Sequence, residues 1–466
     1  MTSIDIVALS KQLSEFGQNH LIQFWNDLSA TEQEALHRQI AGIDFGLIRD
    51  LLSHGKEKQE WAEIARNAEP PQAIRLNQDV PFALDQAALV GERALRDGKV
   101  AMVLVAGGQG TRLGFDLPKG MFPLGPVSKR TLFQIHFEKV LATGRHFGTA
   151  VPLLVMTSPA THGASVDFIK HNQRFGVAEK DFRIFCQGTM PAADAETGRL
   201  LLASKGELFA APDGHGGTVA ALEKHQCLDW MRERGIEYVY YCQVDNPMAL
   251  ILDPLTIGYH ILAESEMTSQ TCPKRYAKQK VGNFVSLNGK VQIIEYSDLP
   301  DEIAEQTDEH GNLKFWAGSI AVHVFNLSFL SRMTSLANSL PFHIAHKKVP
   351  FIDTNGQRVE PEKPNAFKFE RFIFDLLPQA NNALLVEVDP EQAFAPVKNG
   401  FDALTDTPET AQMAMIRQAQ RWLREAGVQI DDGIAVEISP LYALSARELA
   451  AKRQIPQAVD TPTYFR

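Results

Sequence analysis

The chain has 466 residues, and its 44% apolar content is enough for a large core and more than one domain. Its net charge of −10 argues against a general nucleic-acid binder, and no apolar run approaches the ~20 residues of a membrane span. Residues 1–12 lack the pattern of a signal peptide. Four scattered cysteines without a Cys-x-x-Cys pair indicate reduced thiols in a cytoplasmic protein rather than a zinc site.

The N-terminal region, residues 1–95, is predicted to be mainly helical. Ser29-Ala30-Thr31-Glu32 has the form of a capping box, and Leu36 and Ile40 lie on one face of the helix that it opens. Residues 69–72, which contain two prolines, suggest a boundary. We predict three regions, at 1–95, 96–390 and 391–466, of which the last is a small C-terminal domain.

The middle region alternates strands and helices, which predicts an α/β fold with a central mixed, mostly parallel sheet of Rossmann-like type. Apolar runs at 100–106, 151–157 and 236–243 read as strands, and segments 131–142, 165–175 and 219–232 read as helices. Asn288-Gly289 between two alternating runs predicts a hairpin. Helical spacing of apolar residues predicts further helices at 369–377 and 408–426.

The loop after the first strand is the strongest functional signal. Residues 107–114 read Gly-Gly-Gln-Gly-Thr-Arg-Leu-Gly, and Pro118-Lys119 follows. Glycines let backbone N–H groups crowd around an anion, while Arg112 and Lys119 add positive charge that can hold a phosphate. This pattern predicts a site for a nucleoside triphosphate. The alternative is a glycine-rich turn with two solvated cations.

Two common phosphate-binding motifs do not fit this loop. A dinucleotide fingerprint needs a glycine three residues after Gly110, where Leu113 stands. A Walker loop needs Gly-Lys followed by Ser or Thr, whereas Lys119 lies between Pro118 and Gly120.

Asp245 follows the strand 236–243, and ligands of open α/β sheets bind beyond the carboxyl ends of the strands. Its carboxylate is therefore a candidate ligand for Mg²⁺ bound to phosphate oxygens. An ordinary Asp-Asn-Pro turn is the alternative. Taken with the glycine-rich loop, the metal site is the favoured interpretation.

Three further features carry weaker signals. Residues 211–217 form a second glycine-rich loop containing His215, which predicts either a ligand contact or a flexible turn. Lys368 immediately precedes the predicted helix 369–377, where helix N-termini favour anions, so it indicates an anionic ligand or a solvated lysine. Glu295, on the second hairpin strand, is a candidate for hydrogen bonds to sugar hydroxyls or an exposed strand carboxylate.

Together these residues resemble the eukaryotic-type UDP-N-acetylhexosamine pyrophosphorylases, within the wider UDP-sugar pyrophosphorylases. The resemblance runs from about residue 100 to 400 and includes the two glycine-rich loops, Val244 to Asn246 and residues 347–377. It implies a GT-A-like catalytic nucleotidyltransferase domain at 96–390 that transfers UMP from UTP to a sugar 1-phosphate. The implied partners are UTP and the sugar phosphate, with Mg²⁺ or Mn²⁺ as cofactor and neither nucleic acid nor membrane.

The resemblance also implies a role for each candidate residue. Phosphates would be faced by Arg112, Lys119 and, from the other side, Lys368. The uridine would be held by Ala106, Gly107, Gly108, Gln187 and Gly214. Asp245 would hold the metal and Glu295 the sugar.

Two departures from the family pattern lie near the expected sugar pocket. His215 stands in the second loop where the family usually has Asn, and Ser319 stands where it usually has Asn after Ala-Gly. The resemblance favours N-acetylglucosamine 1-phosphate as the acceptor. A UDP-glucose or broad-specificity pyrophosphorylase is the alternative, and a non-catalytic nucleotide-sugar binder is a third hypothesis. The sequence leaves oligomeric state and regulation open.

Overall fold

The computed structural model describes residues 4–54, 61–76, 78, 80–335 and 340–466. The chain divides into two compact units, each assembled from three separate segments. The smaller unit takes residues 1–60, 188–217 and 339–373, and the larger unit takes residues 61–187, 218–338 and 374–466. The predicted regions, with boundaries at residues 95 and 390, are contiguous in sequence, whereas each of these units combines separate segments. The three predicted regions stay a prediction.

The smaller unit is built from N-terminal helices and short antiparallel strands. Its α-helices are Ile6–Glu15, Ala30–Ala41 and Phe45–His54. Its strands are Thr189–Pro191, Ala193–Asp194, Leu202–Ser204, Glu207–Leu208, Ala210–Pro212, His343–Lys347, Phe351–Ile352, Arg358–Val359 and Ala366–Glu370. The predicted capping box is present, because Ser29 accepts from Glu32 N–H and the Glu32 carboxylate accepts from Ser29 N–H. Leu36 and Ile40 are fully buried on that helix, as predicted.

The larger unit is centred on a nine-stranded mixed sheet. In spatial order, seven strands form its main path: Lys290–Ile294, Asn283–Leu287, Ala317–Asn326, Tyr238–Gln243, Val100–Val105, Leu153–Thr157 and Phe182–Cys186. Met267–Pro273 pairs with both Ala317–Asn326 and Ala383–Glu387. The four strands from Tyr238–Gln243 to Phe182–Cys186 are mutually parallel. This confirms the predicted α/β class and places several strand ends at one edge.

Helices surround this sheet and a small C-terminal group of strands follows it. The α-helices are Trp61–Arg66, Leu84–Arg96, Leu132–Phe147, Pro159–His171, Thr218–Lys224, Cys227–Arg232, Pro254–Leu262, Asp301–Ala304, Leu327–Thr334, Pro390–Ala393, Pro408–Glu425 and Ala446–Ala450. The C-terminal strands are Gln429–Ile430, Val436–Ile438, Ala458–Val459 and Thr463–Phe465. Every residue of Val100–Val105 is buried, as expected for a parallel strand covered on both faces. Among the described residues, no helix is long and apolar enough to cross a membrane.

One predicted helix is wrong. Residues 366–370 form a strand that pairs with His343–Lys347 and Ala193–Asp194, and a 3₁₀ segment follows at Ile373–Gln379. Of the apolar residues at helical spacing, Phe369 is buried on the strand and Ile373, Leu376 and Leu377 are buried on the 3₁₀ segment. Phe372 lies between the two elements and is partly exposed. Short apolar runs do not distinguish strand from helix by period, and pairing with neighbouring strands decided the outcome here.

Three further helices differ from their predicted bounds, and the one predicted at 131–142 runs on to Phe147. The helix predicted at 219–232 is interrupted at Gln226, whose φ of 55° lies in the left-handed region. The helix predicted at 165–175 begins earlier, because Pro159 occupies its first turn after Ser158. The hairpin is confirmed: Asn288 and Gly289 both have positive φ, at 52° and 74°, as a tight two-residue turn requires.

Candidate functional site

The glycine-rich loop leaves the sheet at Ala106, which is 1% exposed. Ser158 Oγ donates to the carbonyl oxygen of Gly107 at 2.6 Å and fixes the first residue of the loop. A Cβ at Gly107 would lie 2.7 Å from Oε1 of Gln187, so a side chain at this position would displace Gln187. Gln187 is itself 7% exposed. The structure therefore brings together Ala106, Gly107 and Gln187, three of the predicted site residues.

The loop then folds back so that Lys119 lies beside its glycines. Gly110 N–H donates to the carbonyl oxygen of Leu117 at 2.9 Å, and Lys119 N–H donates to that of Gly108 at 3.0 Å. Gly108 is exposed, and a Cβ there would meet no atom within 4 Å. Arg112 lies in the 3₁₀ turn Thr111–Leu113 with its side chain in solvent.

Asp245 lies at the carboxyl end of the neighbouring parallel strand. Val105 and Gln243 are paired in register, and Val244 N–H donates to the carbonyl oxygen of Val105 at 2.9 Å. Nζ of Lys119 lies 3.6 Å from Oδ2 of Asp245, with side chains only 16% and 14% exposed. The cation and the carboxylate predicted from separate motifs thus form an ion pair at this sheet edge.

A segment that the sequence analysis left out of the site, residues 393–399, packs against this pair. Lys119 Nζ donates to the carbonyl oxygen of Val397 at 3.2 Å, and Val397 N–H donates to that of Asp245 at 2.8 Å. Asn246 holds the same segment, since its side chain donates to Ala393 O and accepts from Ala395 N–H. We predicted that this segment lies in the small C-terminal domain after residue 390; it begins at the end of the short helix Pro390–Ala393, which follows the strand Ala383–Glu387.

This segment adds Lys398 to the site. Lys398 N–H donates to the carbonyl oxygen of Asp406 at 2.7 Å. Burial raises the pKa of the Asp406 carboxyl, the positive charge of Lys398 opposes that rise, and the negative charge of Asp245 adds to it. The Asp406 carboxyl therefore interacts electrostatically with Lys398 and with Asp245. The signal that would have found Lys398 is a cation followed by Asn399-Gly400, a turn placed shortly after a parallel strand.

Glu295 and Ser319 come together around a second close approach. A Cβ at Gly282 would lie 3.2 Å from Oε1 of Glu295 and 3.8 Å from Cβ of Ser319. Ser319 N–H donates to the carbonyl oxygen of Gly282 at 2.8 Å. Ala321, two residues on, has a φ of 54° and lies where the register with Met267–Pro273 shifts. Such a bulge redirects nearby side chains and is often found next to functional sites.

In the smaller unit, the second glycine-rich loop packs on residues 371–373. Gly214 has a φ of 83°, and a Cβ there would lie 2.3 Å from the carbonyl oxygen of Arg371. Nδ1 of His215 accepts from Ile373 N–H at 3.1 Å, so the ring is the neutral tautomer with its proton on Nε2. The same ring stacks on Phe372 at 5.2 Å.

Lys368 does not precede a helix, and the argument from a helix N-terminus is wrong. It lies within the strand Ala366–Glu370, opposite Ala345. Its Nζ lies 5.1 Å from the ring centroid of Phe209, a cation–π distance. Asn365, which precedes the strand, accepts from Val349 N–H and donates to Val349 O. The predicted phosphate contact of Lys368 thus loses its sequence argument, although its resemblance-based role stays a prediction.

The site offers few protein ligands for a metal ion. Within the described ranges, no group of three or more His, Cys, Asp or Glu side chains is arranged to hold one. Mg²⁺ commonly binds through one or two carboxylates and completes its octahedron with phosphate oxygens and water. Asp245 at the edge of the sheet fits that arrangement and does not suit a metal caged by protein alone.

Comparisons with known proteins find relatives over most of the chain. The family described as UTP–glucose-1-phosphate uridylyltransferase matches residues 45–439. The UDP-N-acetylhexosamine pyrophosphorylase-like protein 1 of Xenopus tropicalis is 36% identical over 455 residues, covering 93% of this chain and 88% of that protein. The UDP-N-acetylglucosamine pyrophosphorylase of Saccharomyces cerevisiae is 32% identical over 459 residues, covering 95% and 96%. The crystal structure of the Trypanosoma brucei uridine diphosphate N-acetylglucosamine pyrophosphorylase aligns with a TM-score of 0.83 at 30% identity, covering 100% of this chain and 99% of that one.

Proposed function

Since the chain belongs to the UTP–glucose-1-phosphate uridylyltransferase family, we propose that it transfers the uridylyl group of UTP to N-acetylglucosamine 1-phosphate and releases pyrophosphate. The observation that carries the proposal is the ion pair of Lys119 and Asp245 beside the glycine-rich loop, at the carboxyl ends of two parallel strands. Ligands of open α/β sheets bind at this position.

The chemistry needs charge and positioning rather than a general base. A sugar 1-phosphate is already an anionic nucleophile, and one of its oxygens attacks the α-phosphorus of UTP. The bond from that phosphorus to the bridging oxygen of the β-phosphate breaks, and pyrophosphate leaves in line. Lys119 and Arg112 are the proposed cations that would oppose the accumulating negative charge, and Lys368 stays a proposal from the resemblance. Lys398, which follows Val397 in the segment that contacts Lys119, is a further candidate.

Mg²⁺ or Mn²⁺ is the proposed cofactor, and Asp245 is its proposed protein ligand. When bound, the ion would neutralise triphosphate charge and orient the phosphate oxygens. The residues of this chain then have separate tasks. The loop 107–110 approaches the nucleotide with its backbone, and Lys119 is held in place by Val397 O and Asp245.

The preference for an N-acetylated sugar is supported by the relatives named for N-acetylglucosamine, whereas the family description names glucose 1-phosphate. Glu295 and Ser319, which flank Gly282, are the proposed sugar contacts in the larger unit. His215 is the proposed contact from the second glycine-rich loop. A cytoplasmic location is part of the same proposal, and four cysteines that form no disulfide among the described residues suit a reducing compartment.

A pyrophosphate-release assay with UTP and a panel of sugar 1-phosphates tests the function. We expect turnover with N-acetylglucosamine 1-phosphate in Mg²⁺ and none in EDTA. The matched control is Lys119→Met, which keeps side-chain length and removes the charge. Turnover with glucose 1-phosphate alone would favour the UDP-glucose alternative. Binding of UDP-N-acetylglucosamine without turnover of any sugar phosphate would identify a non-catalytic binder and refute the proposal.

A further inference from the structure

The turn that carries Asp245, residues 244–249, is hydrogen-bonded on one side to side chains of the helix Leu132–Phe147. His136 Nε2 donates to the carbonyl oxygen of Val244 at 3.1 Å. Lys139 Nζ donates to the carbonyl oxygens of Pro247 at 2.7 Å and Ala249 at 2.9 Å. Both side chains come from the helix Leu132–Phe147 and are three residues apart, so they project from the same face.

The other side of the same turn contacts the segment 393–397. Asp245 O accepts from Val397 N–H, and the Asn246 side chain bonds the backbone of Ala393 and Ala395. The Asp245 carboxylate therefore projects from a short turn whose backbone is fixed on two sides. Three of its carbonyl oxygens, those of Val244, Pro247 and Ala249, depend on the helix.

Burying a charged lysine ammonium costs desolvation energy, which a residue that only holds the turn in place would not need. The Lys139 side chain is partly exposed along a groove, yet its ammonium end is desolvated enough to lower the pKa of Lys139 to about 8. Burial, with the nearby charge of Lys139, lowers the pKa of His136 to about 3, so that ring is neutral. The ammonium of Lys139 thus brings a positive charge to the turn and makes two charge-assisted hydrogen bonds there.

We propose that Lys139 is a positioning residue that orients the Asp245 carboxylate toward the metal–triphosphate complex by fixing the carbonyl oxygens of Pro247 and Ala249. The inference rests on the proposed function, since it assumes that Asp245 binds the metal held by UTP. Lys139 itself touches neither substrate nor metal. It acts through the backbone of residues 247–249, as outer-shell partners orient the ligands of other metal sites.

The test compares the affinity for UTP in Mg²⁺ with the affinity for UTP in EDTA, measured by isothermal titration calorimetry. The ratio of the two affinities reports the contribution of the metal bridge to binding, independently of turnover. In Lys139→Met we expect this ratio to fall by about tenfold, the lower end for lost outer-shell support. The affinity in EDTA should stay within about twofold of the wild-type value, because the uridine contacts are elsewhere.

Three further variants separate positioning from general damage. Lys139→Arg, which keeps the charge and can reach both carbonyl oxygens, should restore most of the ratio. Arg145→Met removes an exposed cation from the same helix and should leave the ratio unchanged. In an Asp245→Ala background, Lys139→Met should lower the ratio no further, because the two residues act on the same metal contact.

An unchanged ratio in Lys139→Met would overturn the proposal, as would equal loss of affinity in Mg²⁺ and EDTA. If Lys139→Met does not fold, Lys139→Gln keeps N–H donors without the charge and is judged by the same ratio. Wild-type protein that binds UTP in neither buffer would refute the proposed function itself. If the wild type binds UTP more tightly in Mg²⁺ than in EDTA and substitution of Lys139 leaves the ratio of these affinities unchanged, only the positioning role is refuted.

Discussion

Gly108 allows a test that separates folding from function. A Cβ at this exposed position would meet no atom within 4 Å, and its φ is not in the left-handed region. Gly108→Ala should therefore fold without strain. Restricting the unfolded chain stabilises such a protein by about 0.4–1 kcal/mol where the native backbone tolerates alanine. We expect the melting temperature to stay constant or rise slightly.

The kcat of Gly108→Ala should fall, although its melting temperature should not. The proposed nucleotide lies against this part of the loop, so the added methyl group would occupy space that the phosphates or ribose need. Loss of one preorganised contact in a transition state typically lowers kcat by about 10²–10³-fold, or about 2.7–4 kcal/mol. We expect Gly108→Ala to fall in this range when pyrophosphate release is measured at saturating UTP and N-acetylglucosamine 1-phosphate.

The matched control is Gly433→Ala. A Cβ at Gly433 also meets nothing within 4 Å, and its φ is likewise outside the left-handed region. This variant should match Gly108→Ala in melting temperature and the wild type in kcat. Wild-type kcat in Gly108→Ala would show that no ligand approaches this glycine and would remove the loop from the active site.

Three other predictions follow from the site and its surroundings. Lys119→Met should lower both kcat and thermal stability, because it leaves Asp245 unpaired, and adding Asp245→Asn should restore stability without turnover. A double variant that regained turnover in the pyrophosphate assay would make the pair merely structural. Ser319→Asn should raise the kcat/KM ratio for N-acetylglucosamine 1-phosphate over glucose 1-phosphate, since an amide offers more hydrogen-bonding groups than a hydroxyl; an unchanged ratio would exclude Ser319 from the sugar contacts. At pH 8, mass spectrometry after iodoacetamide treatment should find Cys186 modified and Cys227 intact, because burial raises the pKa of Cys227 to about 11, whereas denatured protein should react at both.

The part of the site that the sequence predicted is the part made from local patterns at strand ends. The run Val100–Val105 and its glycine-rich loop could be recognised because a buried strand and a phosphate-type loop are adjacent in the chain. Asp245 could be added because its strand also reads as apolar and parallel. Register then places Val105 beside Gln243, and the hydrogen bonds that fold the loop back bring Lys119 to Asp245.

Lys398 could not be found in this way because its place depends on distant contacts. It lies 279 positions after Lys119 in the printed sequence, and hydrogen bonds of Val397 and Asn246 bring its segment to the sheet edge. For Lys368 a local pattern led to a wrong prediction. The apolar residues that follow it have helical spacing, but residues 366–370 pair with His343–Lys347 and form a strand.

The two glycine-rich loops look alike in sequence, but the structural reasons for their glycines differ from position to position. At Gly214 and Gly216 the missing side chain makes room for the protein itself, since a Cβ would lie 2.3 Å from Arg371 O and 2.6 Å from Arg371 C respectively. At Gly107 it makes room for Gln187. Packing explains these three glycines, and at Gly214 the φ of 83° also favours glycine, so their presence alone is no argument for a ligand. Gly108 differs, because no described atom of the protein requires a glycine there and its φ does not demand one. Gly433 shares both properties, so openness alone does not mark a ligand site. Gly108 also lies beside Lys119, which pairs with Asp245 at the edge of the sheet, and this position is why the nucleotide is expected over Gly108 and why alanine there is the decisive substitution.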